Sequence, residues 1–249
     1  MLNETTKDKL RSLKLTGMLS ALDQIQGSPP KDLTALELLG LLADAELLAR
    51  ENRGLTRRLT GAQFRQPATL EDIDWKHPRG LKRPMILELQ SSRWVARHEN
   101  VIVTGPTGIG KSWLACALGQ KACRDGFTVI YRRASRLFDD VVQSRGDGSY
   151  AKLLSRLTKV QLLILDDFAL APLESVARYA LLDILEERHQ RGSMLITSQL
   201  DPDHWHPVIG DPTVADSICD RLVNNAHRLP LKGDSMRKIK NHLRKEVGE

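Results

Sequence analysis

The 249-residue chain carries 37 Lys/Arg against 31 Asp/Glu, a formal charge of +6, and is 41% hydrophobic, enough to bury one sizeable core with a smaller domain beside it. Its cysteines, Cys116, Cys123 and Cys219, are odd in number and lack C-x-x-C spacing, which argues against a disulfide framework or a zinc site. No stretch approaches the roughly 18–20 consecutive apolar residues of a membrane span, and the first residues lack a basic region followed by an apolar core, so the expectation is a cytoplasmic protein without a membrane partner.

Residues 1 to 75 carry helical periodicity and no strand signal, and are expected to form a small all-helical domain for oligomerisation or for DNA or partner binding. Leu15, Met18, Leu19, Leu22 and Ile25 recur at helical spacing before Gly27. Thr34 and Glu37 have the spacing of a capping box, followed by Leu38, Leu41, Leu42, Ala45 and Leu48. Arg53, Arg57, Arg58 and Arg65 then cluster, as a solvated face or a partner surface.

Residues 76–249 are expected to form a second domain in which strands and helices alternate. Strands are predicted over Asn100–Thr104, Phe127–Arg132, Gln161–Asp166, Ser193–Ser198 and Ala226–Leu231, with a clear helix over Val176–Gln190. Such alternation implies a parallel five-stranded sheet between helices, with ligands bound beyond the carboxyl ends of the strands.

The most informative run follows the first strand: Gly105, Pro106, Thr107, Gly108, Ile109, Gly110, Lys111 and Ser112 match G-x-x-x-x-G-K-[ST] in full. A strand, a glycine-rich turn and a helix make backbone N–H groups converge at the positive end of a helix dipole, a cradle for polyphosphate. Lys111 is placed to reach the outer phosphates, the Ser112 hydroxyl to ligate Mg2+, and Trp113 opens the helix. Cys116 and Cys123, seven apart on that helix, are expected to be small core hydrophobes.

About 55 residues beyond Lys111, the apolar run 162–165 ends in Asp166 and Asp167. Asp166 suits a metal role and Asp167 the orientation of an attacking water; as a lone signal, two acids at a strand end also suit a turn. Ser198, at the end of the next apolar strand, is the expected partner of the outer phosphate, with Thr197 on the opposite face. Thr213 is read as a helix N-cap, which puts Arg221 on a helix face away from the core. An arginine there is either a surface residue or one that reaches a neighbouring subunit's nucleotide.

Charge supplies a last clue. From Arg221 onward eight Lys/Arg face only Asp234, Glu246 and Glu249, as a solvated tail or a contact for a polyanion such as nucleic acid. Arg132, Arg133 and Arg136, and Arg145 in the predicted flexible loop 144–149, are candidate DNA contacts, although a solvated helix start and a surface turn explain them equally well.

Taken in order, these motifs resemble an AAA+ ATPase of the P-loop class, and within it the IstB-like transposition helper proteins, relatives of the DnaC helicase loaders. The resemblance runs from about Leu70 to Lys238 and rests on residues 69–75 (TLEDIDW), the phosphate loop, 165–168 (LDDF), 196–200 (ITSQL), 205–212 (WHPVIGDP), 215–222 (ADSICDRL) and 233–238 (GDSMRK). It implies Mg2+-dependent ATP hydrolysis, a homo-oligomer on duplex DNA of little sequence preference, and recruitment of a partner transposase. By residue match Arg221 becomes an arginine finger across a subunit interface and Arg237 a second sensor. Asp167 stands where many AAA+ relatives carry glutamate. Only about 18 residues follow the last predicted strand, too few for a full C-terminal helical lid. A helicase loader of the DnaC type is the alternative with the same ATP chemistry, and a small-molecule kinase on the same loop a more distant one.

Overall fold

The computed structural model describes residues 2–27 and 34–236. Compact packing divides the chain into Met1–Arg57 and Arg58–Glu249, so the division falls earlier than position 75. The reason is burial: Ala62, Ala68, Leu70 and Ile73 enter the core of the second unit, and Phe64 lies against Gly119.

The first unit holds α1 (Leu2–Ser12), α2 (Thr16–Gly27) and most of α3 (Ala35–Ala62), as far as Arg57. The capping box forms at α3: Glu37 Oε2 accepts from the Thr34 amide at 2.8 Å and the Thr34 hydroxyl at 2.7 Å, while the Glu37 amide donates to Thr34 Oγ1 at 3.3 Å. Glu46, 5% exposed, accepts from the Gly17 and Met18 amides at 2.7 and 3.3 Å, and from Arg50 and Arg53 at 2.8 and 3.1 Å. The amphipathic pattern is incomplete: Leu36, Leu39, Leu41, Leu47 and Leu48 remain exposed.

The second unit continues with α4 (Arg83–Gln90), α5 (Arg93–Ala96), β1 (Asn100–Thr104), α6 (Lys111–Arg124), β2 (Val129–Arg133), α7 (Ala134–Gly146), α8 (Tyr150–Lys159), β3 (Leu162–Phe168), α9 (Ser175–Arg188), β4 (Ser193–Ser198), α10 (Trp205–Ile209), α11 (Pro212–Val223) and β5 (Ala226–Pro230). All strand pairs are parallel, in the order β2-β3-β4-β1-β5. β1 and β4 fall where the sequence predicts. β2 starts two residues later and β3 runs two residues further. The expected loop 144–149 shrinks to a turn, because α7 continues to Gly146 and buries Ser144, whose hydroxyl caps Val141 O.

Buried residues from α7, α9, α10 and α11 fill one face of the sheet, including Leu137, Leu181, Ile184, Trp205, Ile209 and Ile218. Phe168 and Trp205 meet edge to face, centroids 4.9 Å apart, a geometry worth about 1 kcal/mol beyond burial. α6 contributes the buried Leu114, Ala115, Cys116, Ala117, Leu118, Ala122 and Cys123. Burial pushes the Cys116 and Cys123 thiols up to about 11, as expected of inert core cysteines.

Asn100 binds the lower end of the sheet: its side-chain amide donates to Arg221 O and Leu222 O and accepts from the Met194 amide. α11 opens on Asp211 rather than Thr213. Asp211 accepts from the Val214 amide at 3.0 Å and Pro212 follows at the first helical position, where its missing N–H costs nothing. Among the described residues no helical lid follows β5, and no helix is long and apolar enough to cross a membrane.

Candidate nucleotide site

The loop after β1 delivers Lys111 as the first residue of α6. Gly105 is required at the loop's start: its φ is +139°, and a Cβ there would lie 2.3 Å from Leu231 O. Lys111 is only 6% exposed, and its ammonium donates to Gly105 O at 2.7 Å and Pro106 O at 3.0 Å. Thr107, Gly108, Gly110, Lys111, Ser112 and Trp113 line a cavity of about 630 Å³, of the size that takes a nucleotide. Gly105, Pro106 and Ile109 shape the loop from behind, with Ile109 fully buried.

The upper end of β3 departs from a regular strand. Leu165 pairs with Ile196 and Phe168 with Ser198, so Asp166 and Asp167 both lie opposite Thr197. That is a β-bulge, and Asp167 within it has φ +57°, a left-handed conformation that Asp tolerates better than most residues. The bulge separates the two acids. Asp166 is fully buried and accepts from Tyr131 Oη on Oδ2 and from Thr197 Oγ1 on Oδ1, each at 2.5 Å. Burial and that carboxylate drive the Tyr131 phenol far up, keeping it a donor. Asp167 reaches the cavity wall, and its amide donates to Thr197 Oγ1 at 3.0 Å. Thr197 thereby clasps both acids.

Alternation along β4 holds, but the faces are reversed from the expectation. Ser198 is fully buried; its hydroxyl donates to Phe168 O at 2.9 Å and accepts from the Leu200 amide and Trp205 Nε1. It therefore serves the core, and Gln199 lines the cavity instead. The cavity-lining group at this strand end is thus an amide one residue beyond the strand.

Two arginines complete this end of the cavity. Arg133, from the end of β2, donates to Asp167 Oδ2 at 3.0 Å. Arg65 Nη1 lies 3.8 Å from Asp166 and 3.9 Å from Asp167. Arg133, a candidate DNA contact from its sequence, lines this cavity. Thr197 and Gln199 belong to the 196–200 run, but their partnership with Arg65 and Tyr131 comes only from the fold.

The other expected residues lie apart. Arg132 is half-buried, donates to Tyr131 O and lies 3.9 Å from Asp140. Arg136 is exposed. Arg145 covers the Tyr150 ring, 4.6 Å from its centroid, and pairs with Asp183 at 3.7 Å. Arg221 donates to Ser217 O and to Glu186 at 3.3 Å, near Asn100 at the end of the sheet opposite the phosphate loop. Arg237 and most of the basic tail lie outside the described residues.

The donor set fits Mg2+, which takes hard oxygen ligands and completes its shell with water and substrate phosphates. Ser112 lines the cavity, and the Asp166 carboxylate is fully buried with both oxygens already hydrogen-bonded, which suits contact with a metal through water rather than directly. Among the described residues no group of three or more His, Cys, Asp or Glu could hold a metal by itself.

A parallel sheet of this order, a phosphate loop after β1 and paired acids at the end of β3 define a P-loop nucleotide-binding domain of the AAA+ class. The chain belongs to the family described as IstB-like ATP binding protein, whose model matches residues 8–244. It is 49% identical over 239 residues to an insertion-sequence ATP-binding protein of Sinorhizobium fredii, covering 96% of this chain and 98% of that one. It is 36% identical over 233 residues to an insertion-sequence ATP-binding protein of Mycobacterium tuberculosis, covering 93% of each. Among solved structures its fold is similar to DnaI, at TM-score 0.59 and 20% identity over 72% of this chain and 98% of that one. It is also similar to AMPPCP-bound DnaA from Aquifex aeolicus, at TM-score 0.57 and 20% identity over 74% of this chain and 56% of that one.

Proposed function

We propose that this protein is an ATP-hydrolysing helper of DNA transposition, which assembles as a homo-oligomer on duplex DNA and recruits a partner transposase. The bulged Asp166-Asp167 pair beside the phosphate loop carries the hydrolytic part of this reading. The relatives named as insertion-sequence proteins support the transposition part.

Loop amides and Lys111 hold the phosphates, the helix N-terminus adding favourable charge. Ser112 and Asp166 hold Mg2+, which supplies charge neutralisation at the transferring phosphoryl group. Asp167 orients the attacking water and accepts its proton. Gln199, replacing Ser198 in this role, donates its amide to the outer phosphate or the water. Arg221 lies at the far end of its own sheet, so it serves as an arginine finger only on a neighbouring subunit's nucleotide. Exposed Arg136 and the basic residues after Arg221 contribute sequence-independent attraction for DNA.

Sedimentation with random duplex DNA of about 60 base pairs at moderate salt, with ATP, ADP or no nucleotide, tests this reading. ATP-dependent large complexes on DNA, lost in Lys111→Ala, are expected. A DNA-indifferent monomer in all three conditions overturns the assembly reading. Capture of a replicative helicase, with no effect on transposase, would transfer the same chemistry to a helicase loader.

A further inference from the structure

We propose that Arg79 is the residue that recognises the purine base of the nucleotide, an inference that rests on the ATP reading above. Arg79 belongs to no phosphate-binding motif. It lies in the segment before α4, 2% exposed, yet its side chain lines the cavity.

Its guanidinium is incompletely satisfied. Nη1 donates to Ile109 O at 3.4 Å and approaches Met236 Sδ at 3.1 Å, and an added Cβ at Gly110 would lie 2.7 Å from it. Nε has no acceptor. Desolvation lowers the pKa of Arg79, and Asp74 is the acid that opposes the shift, although no carboxylate forms an ion pair with Arg79 among the described residues. A buried cation with an unused N–H is costly unless something else accepts from it. Nε itself is enclosed, although Arg79 as a residue lines the cavity.

The backbone holds Arg79 in this position. Lys232 N donates to Arg79 O at 3.0 Å, His77 Nε2 lies 3.4 Å from Asp234 O, and Met236 N donates to Gly108 O at 3.0 Å. The segments 77–79 and 232–236 thus cover the phosphate loop together. Residues 233–236 of the motif that the sequence singles out therefore lie beside the phosphate loop despite their distance along the chain.

Charge decides which part of the nucleotide Arg79 meets. Lys111, Arg65 and Arg133 mark the phosphate end of the cavity, whereas Asp72 and Asp74 line it as well and would repel a polyphosphate. Arg79, influenced by Asp74 and beside Met236, faces the portion of ATP that carries no charge. A planar guanidinium can stack on a purine face, a contact that neither lysine nor a backbone amide provides.

The test compares the affinity of the full-length protein for ATP and for inorganic tripolyphosphate, which keeps the charge and lacks the base. Arg79→Gln and Arg79→Met are each expected to weaken ATP about 10- to 100-fold and to leave tripolyphosphate within about twofold, whereas Lys111→Ala weakens both. Equal loss of both ligands in the Arg79 variants would make Arg79 a phosphate contact and overturn the proposal, as would no change in either. Photolabelling of the wild-type protein with 8-azido-ATP needs no variant: label on residues 77–81 or 232–236 is expected, and label confined elsewhere counts against the proposal. A wild-type protein that binds neither ATP nor tripolyphosphate would instead refute the ATP reading itself.

Discussion

Arg133 donates to Asp167 Oδ2 at 3.0 Å, so the acid assigned to the attacking water is paired with a cation from the neighbouring strand. The guanidinium occupies one carboxylate oxygen, which leaves less of Asp167 free to engage a water. Arg133→Ala is expected to raise ATP turnover in the absence of DNA by about 3- to 10-fold, equivalent to about 1 kcal/mol. Steady-state phosphate release measures this directly. An unchanged basal rate would show that the pair does not restrain Asp167.

Asp167 itself needs a substitution that respects its backbone. Asp167→Asn keeps a residue type that tolerates φ +57° while removing the base. ATP affinity is expected to persist with turnover reduced at least about 100-fold. Arg221→Ala should likewise be inactive alone, and mixing it with Asp167→Asn should restore part of the activity if the finger acts in trans. Absence of recovery at every mixing ratio would count against that role.

Ser198 and Gln199 should separate stability from chemistry. Ser198→Ala removes the side-chain acceptor of the Leu200 amide and one of the two acceptors of Trp205 Nε1 and is expected to cost about 1–3 kcal/mol in denaturant unfolding. Its turnover should remain near wild type. Gln199→Ala should show the reverse, with turnover reduced about 10-fold or more at nearly unchanged stability.

Glu46 sets an acid limit on the first unit. Arg50, together with the Gly17 and Met18 amides and Arg53, holds its carboxyl down to about 2 from an ordinary value of 4.5, against the opposing effect of burial. A depressed carboxylate stabilises the fold fully above its unfolded pKa and loses that contribution as pH falls through the folded one. The Gly17 and Met18 amide proton shifts should therefore be constant above about pH 4.5 and move as pH approaches 2. In Glu46→Gln this transition should vanish.

Arg188 is a structural counterpart to Arg79. It is 1% exposed and donates to Leu157 O, Val160 O, Gln161 O and Ser193 O at 2.7, 2.8, 3.4 and 2.6 Å. Burial lowers its pKa only to about 10, so it stays charged at neutral pH. Arg188→Met would strand several carbonyls and is expected to cost at least about 3 kcal/mol, read as a lower denaturation midpoint. A loss below about 1 kcal/mol would mean that water replaces the guanidinium.

The sequence by itself determined the elements whose physics is local. The phosphate loop, the apolar strands ending in acids, the Thr34–Glu37 capping box and the buried cysteine pair of α6 each follow from residue type at fixed spacing, and each forms as that spacing requires. Tertiary structure decided what depends on which strands become neighbours. β4 lies between β1 and β3, and the bulge at Asp166-Asp167 exists only against Thr197, so no period along the chain could reveal that Thr197 clasps the acids or that Ser198 faces Trp205. Arg65, Arg79 and Arg133 reach the cavity from three distant segments because the fold closes around the loop. A charged side chain acquires its role from the partners that burial assigns to it, and those partners are set by the packing of the whole domain.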